Sequence, residues 1–317
     1  MAGRAALNVT TLLVTHAACA AHDMGEGHPE RPERLRAIDQ ALEREAFHLL
    51  MRDSAPRAAI AALTRVHPAE YVAGLERASP SQGRVQLDPE TAMSPGTWEA
   101  ALRSAGGAIF AVDEVVERRV DNAFVLARPP GHHAETATAM GFCFLNNAAI
   151  AARHAQAAHG VERVAIVDFD VHHGNGTQDI FWSDASVMYA STHQMPLYPG
   201  TGARDQRGEH DQIVNAPLRP GDGGEAFREA FVEAILPRLE GFAPDLVVVS
   251  AGFDAHYRDP LGSLNLREDD FAWATRRLMA VAEARCGGRL VSLLEGGYDL
   301  DGLGRSAAAH VAALMGG

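Results

Sequence analysis

The stretch Val164-Ala165-Ile166-Val167-Asp168-Phe169-Asp170-Val171-His172-His173-Gly174-Asn175-Gly176 begins as an apolar strand and ends as a cluster of metal-ligand side chains. Strand side chains alternate faces, so a strand carried from Val164 to Val171 is expected to point Asp168, Asp170 and His172 the same way. Carboxylate oxygen plus imidazole nitrogen is a mixture that a borderline cation such as zinc accepts. The bland alternative is a strand end that caps a following helix, where Asp and Asn are common. Two acids on one buried strand face followed by paired histidines would be costly without a cation or polar partners, and this favours a site.

The pattern repeats outward from this stretch. Asn122 to Ala127 runs into Arg128-Pro-Pro-Gly-His132-His133, Leu246 to Ala251 into Gly-Phe-Asp254, and Leu290 to Leu294 into Glu295-Gly296-Gly-Tyr298. The apolar runs are nearly continuous, as in strands of a parallel sheet buried on both faces. Helical segments are expected between them at Asn146–His159, Glu225–Leu239 and Asp269–Arg285. Nearer the start, Thr11–Thr15 reads as a first strand, and Arg34 to about His48 as a helix. Pro68 opens another helix, and Thr97 is the expected N-cap of a long one reaching about Arg118. Strand alternating with helix implies an α/β fold with a central parallel β-sheet flanked by helices. Ala78–Gly96 and Pro196–Gly224 read as surface loops. Ligands of open α/β sheets bind beyond the carboxyl ends of the strands, so the coincidence of four polar strand ends carries more weight than any one motif.

The chain has 317 residues, 47% hydrophobic, with 28 Lys plus Arg against 41 Asp plus Glu, a formal charge of −13. That acidity argues against nucleic acid as a partner and is compatible with cationic substrates. Three scattered cysteines and no CxxC pair fit a reducing compartment without disulfides. The apolar stretch Ala5–Ala21 is interrupted by His16 and lacks a basic start, and no run is apolar enough to span a bilayer, so no membrane partner is expected and the cytoplasm is the expected location. Oligomeric state is not readable.

Asp254 follows a buried strand and a glycine, and with Asp170 and His172 makes three protein ligands with room for water, the catalytic zinc arrangement. His132 and His133 stand on a rigid turn and suit proton transfer. Each needs a partner on its second ring nitrogen, and Asp168 and Asn175 are the candidates. The Tyr298 hydroxyl would serve an oxyanion, although a packing role explains that tyrosine equally well. Phe142, after Gly141, reads as a channel wall or as a helix-start packing aromatic.

Together these motifs resemble the zinc-dependent histone deacetylase family, including its bacterial deacetylases and acetylpolyamine amidohydrolases. The resemblance runs from His28-Pro-Glu-Arg-Pro-Glu-Arg34 through Arg128–His133, Gly141-Phe-Cys-Phe-Leu-Asn-Asn147, Asp168–Gly176 and Ala251–Asp254 to Glu295–Tyr298. It implies the arginase-deacetylase fold and one catalytic domain over residues 1–317. It further implies one catalytic Zn2+ on Asp170, His172 and Asp254. His133 is then the general base and acid, oriented by Asn175, and His132 its electrostatic partner, oriented by Asp168. Asn175 stands where class I relatives commonly have Asp, so the chain looks more like class II. Tyr298 matches the catalytic tyrosine. Gly141, Phe142, Tyr198 and Gly296 match the acyl-lysine channel. A structural K+ is implied on main-chain oxygens of Asp168, Asp170, His172 and Ser191, with side-chain oxygens of Asp168 and Ser191.

The reading is a zinc amidohydrolase that removes an acetyl or other acyl group from acyl-lysine, an acylated polyamine or another small amine. Loops Ala18–Arg34 and Asp88–Pro95 are expected to frame the channel mouth. Two alternatives stay open: a ureohydrolase with two manganese ions, which metal stoichiometry distinguishes, and a quiet binder of acylated lysine, which would hold hydroxamates without turnover.

Overall fold

The computed structural model describes residues 9–317; the start of the expected 1–317 domain and of the apolar stretch from Ala5 lies outside the described residues. Among the described residues, ten strands occur in chain order: β1 (Thr11–Thr15), β2 (Met51–Ser54), β3 (Val85–Gln86), β4 (Ala92–Met93), β5 (Asn122–Leu126), β6 (Val164–Asp168), β7 (Val187–Gln194), β8 (Ile213–Leu218), β9 (Leu246–Ala251) and β10 (Leu290–Leu294). Eight form one sheet in the order β2-β1-β5-β10-β9-β6-β7-β8, parallel throughout. β5, β6, β9 and β10 are buried along their whole length, as their continuous apolar runs require. They are also neighbours, so the four motif-bearing ends open side by side at the centre of the sheet. The flanking helices fall into packed groups, Thr97–Val116 on Asn147–His159, and Leu300–Leu314 on both Glu33–Ala41 and Glu268–Cys286.

Several expectations need correction. The first helix ends at Ala41, short of His48, because the chain turns through a 3-10 segment that buries Phe47 before β2. β2, β7 and β8 are strands the sequence did not announce. β2 is exposed at all four residues and has no alternation to reveal it. β8 lies inside the expected loop Pro196–Gly224 and contains Pro217, which is tolerated because β8 is an edge strand. The loop Ala78–Gly96 likewise contains the β3–β4 hairpin. Thr97 is the first helical residue rather than the N-cap, a position held by Gly96, and its hydroxyl accepts instead from the Ser94 N–H at 2.8 Å. The helix expected at Glu225–Leu239 runs from Gly224 to Phe242 with a π-helical stretch, Phe231–Ile235, in the middle. Pro237 has no N–H to offer at the next turn, and the Leu236 N–H reaches back five residues to the Phe231 carbonyl.

Candidate active site

β6 stops at Asp168, so the strand pleat does not bring Asp168, Asp170 and His172 together as expected. Two side-chain turns shape the chain there instead. The Asp168 Oδ1 accepts from the Asp170 N–H at 3.0 Å, and the Asp170 Oδ1 accepts from the His172 N–H at 2.9 Å. Along this curl Asp168 points one way and Asp170 with His172 the other.

Asp170, His172 and Asp254 converge, with their donor atoms all within 4.8 Å of one another and all three residues buried. His172 Nδ1 lies 3.1 Å from both Asp170 Oδ1 and Asp254 Oδ2. The other oxygen of each carboxylate is tied to backbone, Asp170 Oδ2 to the Gly296 N–H and Asp254 Oδ1 to the Val171 N–H, each at 2.8 Å. These bonds aim one oxygen from each acid at the imidazole. Glycine is required on the enclosing walls: a Cβ on Gly252 would meet Asp170 Oδ2 at 2.0 Å, and one on Gly296 would meet Asp254 Oδ2 at 2.0 Å. Two carboxylates and one imidazole held this way fit a divalent cation that takes oxygen and nitrogen ligands. Burial and the neighbouring Asp170 push the Asp254 carboxyl up to about 7. Burial opposes charge on His172, yet its bonds to Asp170 and Asp254 hold its imidazole up at about 10.

The histidine pair stands beside this cluster, ring on ring at 4.0 Å. His132 Nδ1 donates to Asp168 Oδ2 at 3.0 Å, and the same oxygen accepts from the Tyr189 hydroxyl at 3.0 Å. Burial works against a charged His132, but Asp170, Asp168 and Glu295 outweigh it and hold the imidazole at about 10. His133 goes the other way: burial, then the positive charges of His132 and His172, hold it well below the usual range. Its Nδ1 lies 2.8 Å from Asn175 Oδ1.

Glu135, which the sequence reading passed over, decides how that contact works. Its Oε1 lies 2.8 Å from Asn175 Nδ2. A carboxylate only accepts, so it must face the Asn175 NH2 and leave the amide oxygen for His133. An amide oxygen only accepts, so His133 carries its proton on Nδ1 and keeps the Nε2 lone pair free. The signal was an acid two residues beyond the histidine pair.

Three further acids position the site. Glu295 Oε2 accepts from the Gly131 and His132 N–H groups at 2.7 and 3.2 Å, holding the turn that carries the pair. Asp259 Oδ2 accepts from the Tyr298 N–H at 2.6 Å. Glu30, within the quoted His28–Arg34 motif, pairs with Arg128 through two oxygens and with Arg34 at 3.1 Å. Arg34 then donates to the Gly297 carbonyl at 2.6 Å, and its guanidinium lies 4.9 Å over the Tyr298 ring. Nothing local marks these roles, because the partners stand far apart in sequence.

A cavity of about 370 Å³ opens over His133 and His172. Gly141, Phe142 and Tyr198 line it, and Gly296 does not: it lies beneath the carboxylates, where its N–H bonds Asp170. The two expected mouth loops contribute His28, Pro29, Pro89 and Glu90. Phe142 sits at φ 69°, an uncommon backbone for an aromatic residue, with its N–H bonded to Thr91 Oγ1 at 3.1 Å. Its ring meets His28 edge-on at 4.7 Å and Tyr298 at 5.9 Å, while Tyr198 meets His133 at 5.2 Å. Tyr298 is 7% exposed, and burial pushes its phenol well above the usual value. Ser191, in the middle of β7, is buried and is the register partner of Asp168, with its hydroxyl 2.8 Å from His193 Nδ1.

The histone deacetylase domain profile matches residues 28–314. A probable deacetylase of Archaeoglobus fulgidus is 42% identical over 302 residues, covering 93% of this chain and 83% of that protein. A histone deacetylase-like amidohydrolase of Pseudomonas aeruginosa is 44% identical over 278 residues, covering 86% of this chain and 73% of that protein. Among solved structures, the crystal structure of the HDA15 HD domain superposes with a TM-score of 0.92 at 37% identity, covering 98% of this chain and 89% of that one. The fold is therefore the arginase-deacetylase fold that this domain carries. Among the described residues, no helix is long and apolar enough to cross a membrane.

Proposed function

The chain belongs to the histone deacetylase family of hydrolases, and on that premise we propose that it is a zinc-dependent amidohydrolase that takes an acetyl or other acyl group from a primary amine. The observation that carries the reading is the convergence of Asp170, His172 and Asp254 at the foot of a cavity walled by Phe142 and Tyr198. Those three residues would hold the zinc. Bound zinc supplies polarisation of the amide carbonyl and acidification of a water.

The chain's own residues do the rest. Phe142 and Tyr198 receive the alkyl stem of the amine and exclude water from it. His133 Nε2 takes the water proton, because its Nδ1 proton is committed to Asn175 and the lone pair faces the cavity. His132 is less suited to that step: its Nδ1 donates to Asp168, and the carboxylates around it raise its imidazole and favour a positive charge beside the base. As the water oxygen bonds to the carbonyl carbon, Tyr298 donates its hydroxyl proton as a hydrogen bond to the oxyanion that forms there. As the C–N bond breaks, His133 returns its proton to the departing amine, leaving acetate and the free amine. A potassium ion would take oxygens of Asp168 and Ser191, which lie side by side across β6 and β7.

The test is acetate release from an acetyl-lysine peptide and from an acetylpolyamine, with chelator and then with zinc restored. The chain contains no lysine, so released acetate cannot come from its own lysine side chains. Zinc-restored release supports the reading, and the ratio of the two rates selects the substrate class. Tight hydroxamate binding with no turnover of any acyl amide would replace the enzyme with a binder.

A further inference from the structure

Outside the strand-end cluster, two histidines close on a single carboxylate oxygen. Asp113 belongs to the helix Thr97–Val116, and His154 and His159 to the helix Asn147–His159 packed against it. His154 Nε2 and His159 Nε2 each lie 2.6 Å from Asp113 Oδ1. The rings stand 5.6 Å apart with their planes at 77°, and the three donor atoms all fall within 4.8 Å. Residues five apart are separated by about 140° around an α-helix. The two histidines therefore do not share a face by helical geometry, and they meet because Asp113 sits between them.

We propose that Asp113, His154 and His159 form a second divalent-cation site, a clasp between the two helices that takes zinc or a similar borderline cation. One carboxylate and two imidazoles are a ligand set such cations favour, and three protein ligands leave a position for water. The side chains of His154 and His159 are 13% and 14% exposed and that of Asp113 31%, so the ligands are held by packing while one flank stays open. Tetrahedral ligands at zinc distances stand about 3.3 Å apart. Small side-chain rotations from the present 2.6 Å contacts reach that spacing. The opposing group is Arg65, whose Nη1 lies 3.3 Å from His154 Nδ1. Arg65 is exposed, so its guanidinium can turn into solvent, and it is the group that weakens the site.

The clasp sits at the carboxyl end of a helix whose other end supports the histidine pair. There the Asn146 cap donates to the Ala134 carbonyl at 3.1 Å, next to His133, and Asn147 donates to the Pro129 carbonyl at 3.3 Å. A cation in the clasp would bind only the folded chain and so raise its melting temperature.

The experiment is zinc counting on the whole chain, stripped by chelator and then dialysed against micromolar free zinc. The unaltered chain should hold one more zinc ion than the double variant His154→Gln/His159→Gln, and the same deficit should appear in Asp113→Asn, which keeps both histidines. Arg65→Ala should bind the extra zinc more tightly. With Cu2+ added to protein carrying a single equivalent of zinc, electron paramagnetic resonance should show coupling to imidazole nitrogens that disappears in the double variant. Equal zinc counts in the unaltered chain, the double variant and Asp113→Asn, each with native circular dichroism, would overturn the proposal. The Asp254→Ala protein separates the two sites, since it should still lose one zinc on the further change of His154 and His159.

Discussion

Two regions of this molecule bury charged side chains completely, and they solve the problem in opposite ways. Around Glu30 the charges are closed off. Arg128 satisfies all of its donors: Nε and one Nη2 proton go to the Glu30 carboxylate, the other Nη2 proton goes to the Glu30 carbonyl, and Nη1 goes to the carbonyls of Cys19 and His22. Burial would raise the Glu30 carboxyl, but the Arg128 charge outweighs it and holds the group well below its usual value. At the strand ends Asp168, Asp170, Asp254 and Glu295 crowd around two imidazoles with no guanidinium among them. Burial, with Asp168 and Asp170 adding, lifts Glu295 to about 7, and both His132 and His172 are held near 10. Burial alone therefore does not mark a functional site. The mark is a set of buried carboxylates whose counter-charges are imidazoles, which can give up a proton to make room for another cation, where a guanidinium cannot.

Variants can break that contrast. The largest effect is expected from Asp254→Ala, which should lose zinc together with about 10³-fold or more of turnover, since the carbonyl loses its Lewis acid. Metal analysis beside acetate release checks it, and stoichiometric zinc in this variant would remove Asp254 from the ligand set. Next, Glu30→Ala leaves two guanidinium groups buried without their carboxylate and should cost about 3–5 kcal/mol of stability in denaturant titration. If its loss is under about 1 kcal/mol, the closed network is not what holds this region. Tyr298→Phe keeps the ring and should lower kcat by about 10²–10³-fold with zinc content unchanged; normal turnover would return Tyr298 to a packing role. Glu135→Ala should cost about 10-fold by freeing the Asn175 amide to turn over, whereas Glu135→Gln, whose carbonyl still accepts, should keep most activity. Equal losses in these two variants would separate Glu135 from the orientation of Asn175.

The gentlest test is pH, and the two regions should act with opposite signs. Glu30 is depressed in the folded chain, so its contribution is present above its unfolded value near 4.5 and is lost as pH falls through its folded value. Glu295 and His132 are raised, so their contributions are lost as pH rises through about 7 and about 10. Each group adds a slope of at most about 1.4 kcal/mol per pH unit. Metal-stripped protein should therefore be most stable in mild acid, and zinc should shift the optimum upward. A stability maximum above pH 8 without metal would contradict these assignments.

Much of the site was legible in the chain because parallel strands buried on both faces need unbroken apolar runs, and each such run here ends abruptly in Asp, His, Glu or Tyr. β5, β6, β9 and β10 could be read from that pattern, and so could the residues at their ends. The outer strands β2, β7 and β8 could not. β2 has no buried face to impose a pattern, and β8 carries a proline that reads as a loop. Three decisions belonged to the tertiary structure alone. Strand order made β5, β10, β9 and β6 neighbours and fused four separate motifs into one centre. Contacts with distant residues divided the acids, Asp168 to His132 and Tyr189, and Asp170 to Gly296 and the cluster with His172 and Asp254. Glu30, Glu135 and Glu295 took positioning roles through partners up to 164 residues away. Local sequence records which side chains must be buried, since burial acts residue by residue. Which charges face one another is set by contacts between distant segments, and these exist only once the sheet has closed around them.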